Sequence, residues 1–506
     1  MSKRWTAVIL LVAFGLRMVG LNGRALWYDE AFSILYAEKE WATMLAGALT
    51  PVNGAAAEEH PLLYYALLHG WMELAGQSPL AARYLSVLCG VLTTAVGFAL
   101  GRQLFDRRAG QATAVIIAVA PFAVYYAQEA RMYALLGLLT LSATAVFVHA
   151  WRTRRRWAWL AYGVLAGLTL HTHHLGGLFL AAPAGWSVWR WLQLRRARQW
   201  RGWLLAHLLA LALLAPWLAA LPRQLAVVRQ GYWIPRPGPV ELLQTLLVFH
   251  FSSDNQALPA WLTPWALGLS LLPPAFLLLG AARARARPCR LPGAGTLLPA
   301  LALGPIALAF VISQALPIYT IRALLPAALA YYVLLAGLFV TGPAPTAVKW
   351  TTLPAAALVV ILALGSHYSY ARFPRPPFPA AAAALRDAFN PATDVIVHAN
   401  KLSFLPLHVY DRALPQAFVA DPPGSPADTL ARPTQRALGV WAAADLATAV
   451  DDHPRVWLVL FERETAEYAA QGRPHPHLAW LAARYTLRER LHFNDLTVYL
   501  FVRTGA

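Results

Sequence analysis

Four segments carry residue types that can do chemistry. Leu26-Trp27-Tyr28-Asp29-Glu30-Ala31 puts two adjacent carboxylates behind two aromatic rings. Adjacent acids supply a general base, a metal ligand, or both. Acids that favour a helix N-terminus give the same pattern. The second segment is Glu58-Glu59-His60-Pro61-Leu62-Leu63-Tyr64-Tyr65. Its proline suits the first turn of a helix, with Glu59 and His60 at the start. Such a start binds an anion, or it is a capped surface helix. The third, residues 121–133, reads Pro-Phe-Ala-Val-Tyr-Tyr-Ala-Gln-Glu-Ala-Arg-Met-Tyr and sets Gln128, Glu129, Arg131 and Tyr133 between two apolar runs. Two residues apart on a helix, Glu129 and Arg131 do not face each other. That favours a ligand for the arginine, whose planar fork fits phosphate. The fourth groups His171, His173 and His174 at a tight turn. Three imidazoles suggest metal spacing, although neither an HExxH motif nor a cysteine partner accompanies them, and polar turn residues explain them equally. One further arginine, Arg322 in Tyr319-Thr320-Ile321-Arg322, stands alone after an apolar run. It is a phosphate ligand or a snorkelling anchor.

The elements that must position these residues are membrane helices. The chain has 506 residues, of which 58% are hydrophobic and 13% charged, with formal net charge +18 and mean hydropathy +0.47. Soluble domains carry about 25% charged residues, so a soluble globular enzyme is excluded for most of the length. Eleven apolar runs read as spans, near 5–22, 79–101, 111–127, 134–151, 157–172, 175–192, 203–221, 262–281, 296–315, 323–341 and 350–368. The N-terminal run follows Lys3-Arg4 like a signal peptide, but no small-residue cleavage site follows, so it reads as a retained first helix. Cys89 and Cys289 lie in an apolar run and a basic connector, which predicts no disulfide.

Orientation follows from arginine and lysine. With the N-terminus inside, the inner connectors hold 19 positive residues and one acid, Asp106. The same distribution lays the short apolar stretch 61–75 on the outer surface as an interfacial helix, because a span there would turn every later basic cluster outward. The first outer loop is then 22–78. An odd number of spans leaves everything after about residue 370 outside. From Arg372 that tail holds 14 basic and 13 acidic residues, a soluble balance. It opens with the breaker string Phe-Pro-Arg-Pro-Pro-Phe-Pro at 373–379. Residues 394–399, 455–461 and 496–502 read as strands between helical segments, predicting a small α/β domain over 370–506 behind a membrane domain over 1–369. The outer loop 222–261, with the aromatic and basic string 231–238, could gate a groove.

The motifs Trp27–Glu30, Glu59–Tyr65, Tyr125–Tyr133, His173-His174 and Arg322-Ala-Leu-Leu-Pro326 occur in that order. Together they resemble bacterial glycosyltransferase family 39 of the GT-C superfamily, related to protein O-mannosyltransferases and lipid A aminoarabinose transferases. The resemblance covers about residues 1–345, and Gln128-Glu-Ala-Arg-Met-Tyr133 is its most specific part. Leu62 stands where the family usually has a second proline. The resemblance implies a polytopic GT-C fold in the bacterial inner membrane, N-terminus cytoplasmic and tail periplasmic. It also implies a polyprenyl-phosphate sugar donor, membrane lipid as surroundings, a lipid, protein or glycan acceptor, inversion at the anomeric carbon, and no nucleic-acid partner. It points to Asp29 as base, with Glu30 or Glu59 as second candidates. Arg131 and Arg322 would hold the donor phosphate with Gln128 and Tyr133. Tyr28, Glu129 and Tyr64 would face acceptor or sugar. A divalent metal, present in some relatives, would take Glu59, His60, His173 and His174. The rival class is a lipid flippase or transporter, which explains the spans but not acids crowded on one face.

Overall fold

The computed structural model describes residues 3–49, 51–52, 55–56, 60–194, 200–219, 222, 234–251, 260–282, 294–341, 346–370, 375–423, 425, 427–428 and 430–504. Cys289, Glu59 and, within the expected 222–261 loop, residues 223–233 and 252–259 fall outside these residues, while the middle of that loop is the helix Pro239–Phe251. Each of the eleven apolar runs falls on a helix. Six helices among the described residues are long and apolar enough to cross a membrane, and a bent pair makes a seventh if it is one span. Lys3–Met18, with 16 residues, and Arg156–Thr172, with 17, are shorter. The chain is a multi-pass membrane protein.

Local chemistry sets the helix boundaries. Ser78 caps Pro79–Leu104 by accepting from the Ala81 N–H at 3.2 Å, with proline in the first turn. Asp106 caps Arg107–Val119 through the Ala109 N–H at 2.8 Å. That helix breaks before Pro121, and the short helix Pro121–Ala127 leaves at 60°. Proline has no N–H for the Ile117 carbonyl four residues back. Arg17, fully buried, supplies the missing donors, to Ile117 O at 3.0 Å and Ala118 O at 3.1 Å. Gly90 makes room for it, since a Cβ there would lie 2.6 Å from Arg17 Nε. A buried arginine without an acid is thereby accounted for. It holds the bend that delivers residues 128–133.

The stretch expected at the outer surface is the helix Leu63–Ala75, which buries Tyr64, Tyr65, Leu68 and Met72. It begins after Pro61, so the proline precedes the first turn instead of occupying it, and His60 lies in the approach to the helix.

The tail carries a six-stranded sheet in the order Ala442–Ala443, Gln416–Val419, Asp394–His398, Arg455–Phe461, Leu496–Arg503, Tyr485–Phe493. The first four strands are parallel and the last two antiparallel. Residues 394–398, 455–461 and 496–503 match the sequence reading within a residue. Gln416–Val419 is short, and Tyr485–Phe493 is an exposed edge whose charged residues hide its period. The helix Lys401–Tyr410 packs against Tyr28–Ala37, so Phe404 and Leu405 join the apolar core of the membrane part.

Candidate active site

Asp29 and Glu30 occupy the first turn of the helix Tyr28–Ala37, which follows extended Trp27 and has no side-chain cap. Neighbours on a helix point about 100° apart, and the two acids meet different surroundings. Glu30 is fully buried. Arg83 grips it side-on, Nε to Oε1 and Nη2 to Oε2, both at 2.7 Å. Arg375 adds 2.6 Å to Oε2, and the Ala130 N–H donates to Oε1 at 3.0 Å. Arg375 also donates to Glu129 at 2.5 Å. Burial would raise the Glu30 pKa, but Arg83 and then Arg375 outweigh it and hold the carboxyl at about 2.

Asp29 keeps 17% of its side chain exposed. Arg322, on a 3-10 turn at Ile321–Leu324, donates to Asp29 Oδ2 at 3.2 Å. Arg131 Nε lies 3.8 Å from the same oxygen, while its Nη1 donates to Ser33 at 3.2 Å and to the Tyr65 hydroxyl at 3.4 Å. The Arg322 guanidinium sits 5.8 Å from the Tyr133 ring centre and 6.0 Å from that of Trp27. Tyr133 in turn lies 6.1 Å from the His173 ring, and His173 meets His60 edge to face at 5.2 Å. Burial, followed by the Arg131 charge, pushes His60 well below the ordinary imidazole range. His173 is pushed down the same way, by burial and then by His60 and His174.

The structure thus gathers Asp29, Arg131, Arg322, Tyr133, His60 and His173. His174 accepts from Trp217 Nε1 at 3.1 Å at the margin of the group. Tyr28 is half-buried beside Phe32, and Tyr64 is buried against Tyr65. Two expected residues turn elsewhere. Glu129 is buried on Arg375, and Gln128 donates to the Arg17 and Val19 carbonyls while its Oε1 meets His367 at 2.7 Å. Among the described residues no three His, Cys, Asp or Glu side chains converge as metal ligands. His60 and His173 provide two imidazoles, and Glu59 lies outside the described residues. The described side chains alone do not complete a metal site.

Sequence reading passed over Arg83 and Arg375. Arg83 sits four residues into an apolar run, where a buried cation is a signal by itself. Arg375 is hidden in a proline string that reads as a linker.

The family model for dolichyl-phosphate-mannose-protein mannosyltransferases matches residues 59–219. No curated protein sequence matches the chain. Among solved structures, ArnT from Cupriavidus metallidurans in its apo state superposes with TM-score 0.62 at 18% identity, covering 98% of this chain and 97% of that one. The oligosaccharyltransferase of Archaeoglobus fulgidus, solved with zinc and sulfate, gives TM-score 0.54 at 14% identity over 98% of this chain and 72% of that one. The chain has the GT-C fold. Within that fold it resembles glycosyltransferase family 39, and the family-model match takes in three motifs of this region, those around His60, Arg131 and His173. The same ArnT bound to undecaprenyl phosphate superposes with TM-score 0.60 at 17% identity, covering 99% of this chain and 98% of that one. The GT-C fold here therefore spans both the helical part and the sheet-bearing tail.

Proposed function

We propose that the chain is a membrane glycosyltransferase that moves a sugar from a polyprenyl-phosphate donor to an acceptor hydroxyl on the extracytoplasmic face, with inversion. The observation that carries this is Asp29, partly exposed, with Arg322 at 3.2 Å and Arg131 at 3.8 Å on one oxygen. Two solved structures of this fold hold lipid phosphates, undecaprenyl phosphate in ArnT and dolichol phosphate in the Archaeoglobus fulgidus enzyme.

The charges support the reaction. Two guanidinium groups against Asp29 leave one positive charge, which a donor phosphodiester neutralises. Attack by the acceptor hydroxyl breaks the anomeric C–O bond, and the leaving phosphate takes the bonding pair. Asp29 takes the hydroxyl proton as the phosphate gains a charge, so the site stays neutral throughout. Burial first, then Arg131 for His60 and the neighbouring imidazoles for His173, disfavours their protonation and keeps both neutral near pH 7. Arg131 and Arg322 stabilise the leaving phosphate and Tyr133 flanks Arg322. Half-buried Tyr28 is the candidate for acceptor or sugar contact, whereas Tyr64 is buried against Tyr65. Glu30 and Glu129 are positioning residues, buried on Arg83 and Arg375.

The membrane part, residues 1–369, carries the chemistry, and the tail from 370 lies on the periplasmic side of a bacterial inner membrane. The test is transfer of radiolabelled sugar from a polyprenyl-phosphate donor by the purified protein in detergent, with release of polyprenyl phosphate. Movement of labelled lipid between leaflets without transfer would replace this reading with a flippase.

A further inference from the structure

A cleft lies beside the Glu30 cluster, walled by Gly20, Leu21, Arg24, Gln128, His367 and Tyr370 together with Arg83, Tyr125, Glu129 and Arg375. Its empty space of about 250 Å³ counts the open mouth, and the part inside is about the size of one water. It sits where the first helix of the chain and the last helix before the tail both end.

Arg24 makes no ion pair within 4.0 Å among the described residues, although the charge of Glu129 acts on it. It is 8% exposed, and its Nε and Nη2 are buried with no hydrogen-bond partner among the described residues. The face of its guanidinium rests on the Tyr370 ring, 4.3 Å from the centre. Tyr370 is itself fixed by a hydrogen bond to the Gly20 carbonyl, at a glycine with φ +64° whose Cβ would lie 2.6 Å from the Tyr370 hydroxyl. Stacking uses the face and leaves the edge, buried as it is, without a partner among the described residues. That edge, Nε with Nη2, is the one with which Arg83 grips both oxygens of Glu30. Around the cleft, among the described residues, Arg24, Arg83 and Arg375 face Glu30 and Glu129, which leaves one positive charge uncompensated. Burial and the charge of Arg375 both work against ionised Arg24, and a bound anion relieves both.

We propose that this cleft is a second anion site, separate from the Asp29 site, in which Arg24 grips one phosphate-class oxyanion side-on. Its place at the ends of two membrane helices favours the phosphate of an anionic lipid headgroup over free phosphate. The site does not depend on the transfer reaction, and it is read by binding alone.

The test is thermal unfolding of the full chain in neutral detergent. One arm titrates sodium phosphate against sodium chloride at matched ionic strength. The other titrates dioctanoyl phosphatidylglycerol against dioctanoylglycerol, which has the same chains and no phosphate. A saturable rise in midpoint is expected with phosphatidylglycerol, with apparent affinity at least tenfold weaker in Arg24→Gln. Arg24→Lys, which keeps the charge and loses the fork, should also weaken it and serves if the glutamine variant does not fold. Stabilisation by inorganic phosphate as strong as by the lipid assigns the site to a soluble oxyanion. The proposal fails if neither phosphate compound exceeds its control, or if both variants respond like the parent. Loss of sugar transfer with the midpoint shift intact would overturn the proposed function and leave this site standing.

Discussion

Arg375 and Glu30 are 345 positions apart in sequence and 2.6 Å apart in space, both fully or almost fully buried. The arginine also reaches Glu129 at 2.5 Å. A residue from the start of the tail thus sits between two motifs of the membrane part, next to Asp29. With Arg83 it balances the charge of two buried carboxylates.

Arg375→Ala should destabilise the fold as a whole. Removing one partner of a buried ion pair costs about 3–5 kcal/mol, and here Glu30 and Glu129 both lose the same buried cation. Thermal unfolding in detergent should show a clear fall in midpoint, with Arg375→Lys intermediate because one ammonium replaces a fork that serves two acids. A midpoint within error of the parent would mean that the two acids find other partners.

Asp29→Asn should abolish transfer with little change in unfolding midpoint. Loss of a positioned base costs typically 10²–10⁴-fold. Removing the carboxylate beside the phosphate should leave donor binding intact or tighter, as measured by equilibrium binding of labelled polyprenyl phosphate. Near-normal turnover in this variant would pass the role to another acid of the loop, with Glu59 next in line.

Arg322→Lys and Arg131→Lys should both slow transfer despite conserving charge. A hydrogen bond to a charged group is worth about 1.5–3 kcal/mol, so roughly tenfold to a hundredfold in kcat/KM is expected. The alanine variants should also raise the donor KM. Steady-state kinetics with full donor titrations separates the two effects, and unchanged constants in both alanine variants would make these arginines interfacial anchors.

Acid should unfold the protein through the Glu30 cluster. The unfolded carboxyl titrates near its ordinary 4.5 and the folded one near 2, so between these values protons bind the unfolded chain preferentially. The cluster's contribution is complete above about pH 5 and is lost as pH falls toward 2. His60 and His173, also depressed in the fold, withdraw their contribution earlier, as pH drops below about 6.5. Midpoints of Glu30→Gln across pH 3–8 should lose the lower limb and keep the upper one.

The membrane class, the apolar helices and the polar motifs were legible because ionisable residues are rare in such a chain and mark themselves by contrast. Asp29, Arg131 and Arg322 stood out for that reason, and the structure places them on one oxygen. The division of labour between Asp29 and Glu30 was not legible. It depends on which face of the helix meets Arg83 and Arg375, and those lie 53 and 345 positions from Glu30. Gln128 and Glu129 were read with Arg131 as one polar group. The bend at Pro121 and the break at 128–132 aim the three side chains in different directions, which no local period records. The exposed strand Tyr485–Phe493 has too few buried positions to show an alternation.

The position of Arg375 also fixes an order in time. A chain emerging from the ribosome makes its acid helix early, then Arg83, which pairs with Glu30, and then the Gln128–Tyr133 segment, all before Arg375 exists. The arginine that unites them is made only after the last apolar helix. A product that stops short of the tail therefore lacks the cation that joins Glu30 to Glu129, and only the longer chain supplies it.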